Sequence, residues 1–267
     1  MSFVHDHLKG GVLLDPRIDP AFPPVAYSYS EAPSEGMAPT RYLALGGRQY
    51  QADAGSCTAH GYSAAVEAFA TKVGASLQLC RQDMYYGARW IEGGGAERVD
   101  NGAFPSNVRR WLYEYGTVPE ARKAYAPHDV TTWRPDPSWA ADRLLLNCRF
   151  DPVPMTVDAI LHELGDRGMV VVICHTASAG IDRVGADGIE RYIPTPDRWA
   201  HCRAVTGYDR VAGVFEVMNW WRSWGVARRS DPVAYPDSFS YMPFADLVNP
   251  AFLQSADVLA IPPVVAP

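Results

Sequence analysis

The chain has 267 residues, 48% hydrophobic and 20% charged, with a formal net charge of −6. That is long and apolar enough to bury a substantial core, and the acidic balance argues against a nucleic-acid partner. No apolar run approaches the roughly 18 residues of a membrane span. The opening MSFVHDHLKGG lacks the apolar stretch of a secretory signal, so the expected setting is the cytoplasm or carriage in an assembly.

Residues 1–40 are rich in Pro, Ser and Gly, with Pro20, Pro23, Pro24, Pro33 and Pro39. They read as an extended arm, a possible docking element for an assembly partner. His5-Asp6-His7 within it reads as solvated, not as a metal site, and no cofactor is expected. From Ser56 a helix is predicted, since Cys57, Ala59, Tyr62, Ala65, Val66 and Phe69 fall at helical spacings. A second covers Leu77 to Trp90 and ends at Gly93-Gly94-Gly95. A third runs from Pro105 to Tyr115 and stops at Gly116. Trp133 to Trp139 is a Pro-rich loop, and Val157 to Leu164 a short helix stopped by Gly165.

Strand signals then take over. Met169–Cys174, Arg203–Tyr208 and Val214–Met218 are β-branched or alternating runs, the last two joined by a turn through Asp209 and Gly213. A helical half followed by a strand-rich half predicts an α+β fold. Five scattered cysteines (57, 80, 148, 174, 202) contain no CxxC pair and suggest no disulfide framework.

The chemistry centres on Gln51-Ala52-Asp53-Ala54-Gly55-Ser56-Cys57. A thiol at a helix start sits in the positive field of the first-turn N–H groups, which favours the thiolate. Gln51 offers an amide donor for a developing oxyanion. Downstream, His201 opens one predicted strand and Asn219 ends the next. Side by side in an antiparallel pair, the asparagine carbonyl accepts from one ring N–H and turns the other ring nitrogen to the thiol. His60, one turn after Cys57, is a rival base whose expected role is packing. The neighbours Cys174-His175 and His201-Cys202 point to opposite strand faces and make no chelate.

These residues resemble the papain-like cysteine peptidases. Gln51 and Cys57 stand as in Q-G-x-C-G-S-C-W, and His201 with Gly207-Tyr208 as in H-A-V-x-x-V-G-Y. Asn219-Trp220-Trp221-Arg222-Ser223-Trp224-Gly225 resembles N-S-W-G-x-x-W-G, and Asn101-Gly102-Ala103 resembles the N-G-G loop. His201 follows Cys57 by 144 residues, inside the family's interval of about 130 to 150. The resemblance covers roughly residues 41–250. It implies a two-lobed fold over 41–267, with a helical lobe over about 41–150 packed against an antiparallel, barrel-like β lobe over about 151–267. It also implies a catalytic triad of Cys57, His201 and Asn219, with thiolate held against imidazolium. Gln51 and the Cys57 N–H would form the oxyanion hole, and Trp221 would shield the triad. Asn101, Gly102 and Ala103 would line the substrate groove. The implied activity is thiol-dependent hydrolysis of a peptide or protein substrate. A silent structural relative and a transpeptidase are the alternatives. Ala52, Ala54, Thr58 and Ala103 depart from the pattern, and Ala52 raises the question of whether the oxyanion loop keeps its backbone.

Overall fold

The fold is seen in a computed structural model that describes residues 33–261, apart from 35, 48, 145 and 147. His5-Asp6-His7 and most of the expected arm lie outside these residues. In chain order the main elements are β1 (Thr40–Tyr42), α1 (Cys57–Lys72), α2 (Arg81–Glu92), α3 (Pro105–Arg110), β2 (Arg149–Pro152), α4 (Val157–His162), β3 (Val171–Thr176), β4 (Ala200–Asp209), β5 (Val214–Met218), β6 (Phe239–Pro243), α5 (Phe244–Leu247) and β7 (Leu253–Ile261). The α+β expectation holds.

Helix α1 is the axle of the molecule. It is buried on nearly every side, which a surface helix with one apolar stripe would not be. Its small residues allow that position, Gly61 most of all. A Cβ there would approach Cys202 Sγ to 2.7 Å and Val172 Cγ1 to 3.2 Å, so only glycine lets α1 lie this close to β3 and β4.

Two helix ends differ from expectation, each for a local reason, while a third helix widens on its way to the stop expected at Gly116. α2 begins at Arg81, not Leu77, because Cys80 Sγ caps it by accepting from the Asp83 N–H, while Leu79 bridges to Pro119 and donates its N–H to Glu67. α3 gives way after Arg110 to a wider turn through Tyr115, closed by Gly116 at φ 67°. α4 is capped by Thr156, and its continuing turn passes Gly165 and ends at Gly168, φ 62°. Gly165 is a packing glycine, since a Cβ there would meet Met37 Cε at 2.5 Å.

The sheet runs β2-β7-β3-β4-β5-β6, with β1 added on β4 and every pairing antiparallel. β4 is buried along all but its last residue. The chain before α1 belongs to this sheet: Thr40 to Tyr42 pair with Asp209 to Gly207, and the Leu43 N–H donates to Thr206 O. Gly207 is obligatory there, because a Cβ would come within 2.6 Å of Arg41 O. α1 therefore runs alongside β4. Gly61 meets Cys202 near the strand's start, while Ala65, Phe69 and Lys72 share a cavity of about 160 Å³ with Arg41 to Ala44, at the end where β1 joins β4. This sets Cys57 and His201 at the same end of the helix–strand pair.

Candidate active site

Cys57 is the first residue of α1 and is fully buried. Ser56, in the usual capping position, makes no side-chain cap. Its hydroxyl lies 2.5 Å from Tyr125 Oη instead, so the first-turn N–H groups beside Cys57 are not spent on it. Tyr125 also donates to Gln51 O at 3.2 Å.

Gln51 is buried and pinned at both ends. Its N–H donates to Trp220 O (3.0 Å) and its Nε2 to Ala54 O (2.8 Å). The first bond ties the loop before α1 to the residue following Asn219. Ala52 adopts φ 53°, a left-handed backbone that glycine takes freely and alanine takes at a cost of about 1 kcal/mol. The loop thus keeps a glycine-type backbone although the glycine has gone.

His201 and Asn219 meet as expected. His201 Nε2 donates to Asn219 Oδ1 at 2.7 Å, which fixes the tautomer with Nδ1 bare. Nδ1 has no hydrogen-bond partner among the described residues. Asn219 Oδ1 also accepts from the Trp220 N–H at 2.8 Å, and Trp220 Nε1 donates to Cys202 O, so the asparagine is oriented from two directions. Trp221 stacks on the His201 ring, with centroids 4.6 Å apart and planes 22° apart. It backs onto Trp224 and Ile181 in a small apolar cluster.

Burial pushes the His201 pKa down to about 3; the Asn219 hydrogen bond acts upward and the Arg203 charge downward. Burial on its own thus favours the neutral imidazole over the imidazolium that the resemblance implies. Only a thiolate beside it would reverse that balance. Gln51 Oε1, Thr58 Oγ1, His60 Nε2 and Asn219 Nδ2 are likewise buried without hydrogen-bond partners among the described residues. Such orphans are rare in folded proteins and mark sites where stability yields to something else.

The predicted groove residues divide. Asn101 is exposed, while Gly102 and Ala103 are buried. The Gly102 N–H donates to Tyr85 Oη at 3.1 Å and its carbonyl accepts from Arg89, so its backbone groups are engaged internally. His60 packs edge-on to Tyr125 (4.9 Å), and its Nδ1 bonds Ser56 O at 3.0 Å. These contacts fit a packing role.

Behind His201 lies a buried network that sequence reading missed. Arg203 bonds Glu190 with both terminal nitrogens (2.7 and 2.9 Å) and donates Nε to His175 Nε2 at 2.8 Å. Ser240 completes Glu190 at 2.6 Å, and His175 sits cross-strand from His201, rings 5.8 Å apart. Glu190 lies in irregular chain, where no periodicity marks it. Arg203 and Glu190 are both fully buried, so Glu190→Ala strands a guanidinium in the core and should lower unfolding free energy by about 3–5 kcal/mol. Urea titration checks this, and a loss below about 1 kcal/mol would contradict the network.

No family sequence model and no curated protein sequence matches the chain. Solved structures do. Xylellain, a cysteine protease from Xylella fastidiosa, aligns with TM-score 0.75 at 20% identity over 95% of this chain and 97% of its own. The fold is papain-like. A digestive procathepsin L 3 of Tenebrio molitor larval midgut aligns with TM-score 0.66 at 15% identity, over 96% of this chain and 77% of its own. A Carica candamarcensis cysteine protease aligns with TM-score 0.57 at 14% identity, over 84% and 98%. The papain-like fold explains why a helix start and two adjacent strand ends converge here.

Proposed function

We propose that the chain is a cysteine-type peptidase using Cys57, His201 and Asn219. The observation that carries the reading is the 2.7 Å bond from His201 Nε2 to Asn219 Oδ1 under Trp221. It leaves Nδ1 bare at the end of the helix–strand pair where Cys57 begins α1.

In this reading His201 Nδ1 takes the thiol proton as Cys57 Sγ attacks the peptide carbonyl carbon. Asn219 Oδ1 stabilises the imidazolium so formed, as an orienting partner does. The negative oxygen is met by the Cys57 backbone N–H and by the Gln51 Nε2 hydrogen not engaged by Ala54. The imidazolium then protonates the leaving amine, the C–N bond breaks and a thioester remains. Water, deprotonated by His201, attacks the thioester and releases the carboxylate and the thiol. Trp221 keeps solvent from the His201–Asn219 bond, and Asn101, which is exposed, pairs with the substrate backbone. Cys57 and His201 are fully buried, so neighbouring side chains must give way as a peptide carbonyl reaches them.

The test is hydrolysis of a peptide library under reducing conditions, with and without an epoxide thiol inhibitor. Cleavage abolished by the inhibitor is expected. Cleavage indifferent to it, or none at all, contradicts the reading.

A further inference from the structure

Tyr125 reaches the site from the loop after Glu120–Arg122, and neither periodicity nor motif marks it. Its hydroxyl lies 2.5 Å from Ser56 Oγ and donates to Gln51 O at 3.2 Å. With that proton committed to Gln51, the Ser56 hydroxyl donates to Tyr125. The backbone behind the ring is fixed too. The Tyr125 N–H donates to Glu120 Oε1 at 2.6 Å, and Glu120 Oε2 accepts from the Arg81 N–H. His60 packs edge-on against the ring.

A serine directly before a helix ordinarily turns its oxygen onto the N–H groups of the first turn. Here it does not. Its backbone, at φ −93° and ψ 16°, is not that of a capping residue, its oxygen lies between Tyr125 Oη and His60 Nδ1 (3.4 Å), and the Tyr125 hydroxyl also grips the carbonyl of Gln51. One phenol thus touches both sides of the proposed oxyanion hole: the residue before the Cys57 N–H, and the residue whose amide faces it.

We propose that Tyr125 is a positioning residue that holds the two sides of the oxyanion hole in register by bridging Ser56, which precedes the Cys57 N–H, to Gln51. This rests on the peptidase reading above. Tyr125 touches no reacting atom. Without its hydroxyl, nothing ties the Gln51 carbonyl to the residue before Cys57, and the two oxyanion donors are free to drift apart.

The test uses Tyr125→Phe, Ser56→Ala and the double variant in the full chain. Two rates are compared: kcat/KM on a peptide substrate, and Cys57 alkylation by iodoacetamide, a displacement at saturated carbon that forms no oxyanion. Tyr125→Phe should lower kcat about tenfold to a hundredfold, with KM and the alkylation rate within about twofold of wild type. Ser56→Ala removes the other end of the bridge, so the double variant should lose little more than Tyr125→Phe alone. Wild-type kcat in Tyr125→Phe, equal losses in both rates, or fully additive losses in the double variant would overturn the proposal. Cys57-dependent turnover by the wild-type chain with any of those results removes only the Tyr125 role. A wild-type chain without such turnover removes the peptidase reading, and this role with it.

Discussion

Cys57→Ala should abolish peptide hydrolysis, lowering kcat by about 10⁴-fold or more while the fold stays intact. The size follows from how the residues act. Nucleophile, base and orienter work as a unit, so removing the nucleophile alone costs nearly as much as removing all of them. The fold should survive because Cys57 bears only a small side chain within the mostly Ala-rich α1, and sulfur to hydrogen at one buried site costs about 1–2 kcal/mol. Circular dichroism and urea unfolding alongside the kinetics separate the two effects. Residual activity within tenfold of wild type would move the chemistry elsewhere, and His60 or another thiol would have to be reconsidered.

Acid should destabilise the protein steeply just below neutrality. His60, His175 and His201 are fully buried, and burial is the main cause that lowers all three pKa values from the ordinary 6.5, His201 to about 3 and the others well below 6.5. The adjoining charges add to this: Arg81 on His60, Arg203 on His175 and His201. Because the unfolded chain binds these protons first, stability is present above pH 6.5 and lost as pH falls toward the folded values. By pH 5.5 His201 has removed about 1 kcal/mol, and His60 and His175 act in the same direction. Glu67 and Glu120 act oppositely. Burial raises their pKa values, so protonation of these carboxyls favours the folded state as pH falls further, and the clean window is pH 6.5 to 5.5. Chemical denaturation across that window measures the slope. A flat profile would contradict burial as the control on these three histidines, and a slope reduced to two protons would point to His201 held as imidazolium against a Cys57 thiolate.

What could be read from the sequence had local causes. A thiol after a Gly-Ser turn, a histidine opening one strand and an asparagine ending its neighbour each announce themselves within a few residues. The 2.7 Å contact of His201 with Asn219 follows from that placement. β7 was invisible because Gln254, Ser255 and Asp257 interrupt its apolar run. Asp257 is buried only because Tyr62 (2.5 Å) and Arg109 (2.9 Å) come to it from α1 and α3, a long-range compensation that no window of sequence holds. The end of α4 was misplaced because Gly165 looks like a stop and acts as a seat for Met37. Tyr125, Glu190 and His175 share one reason for being missed. Their meaning lies in partners 13 to 74 residues away in sequence.

The central claim is that Cys57 is the reactive thiol. Burial raises the thiols of Cys80 and Cys148 to about 12 and that of Cys202 well above its ordinary value, which keeps them protonated and slow to react. The decisive measurement is mass-spectrometric mapping of the adduct after treatment with an epoxide thiol inhibitor. One adduct per chain on Cys57, formed in step with loss of hydrolysis, is predicted. Label on another cysteine with Cys57 unmodified, or inactivation without label on Cys57, would contradict it.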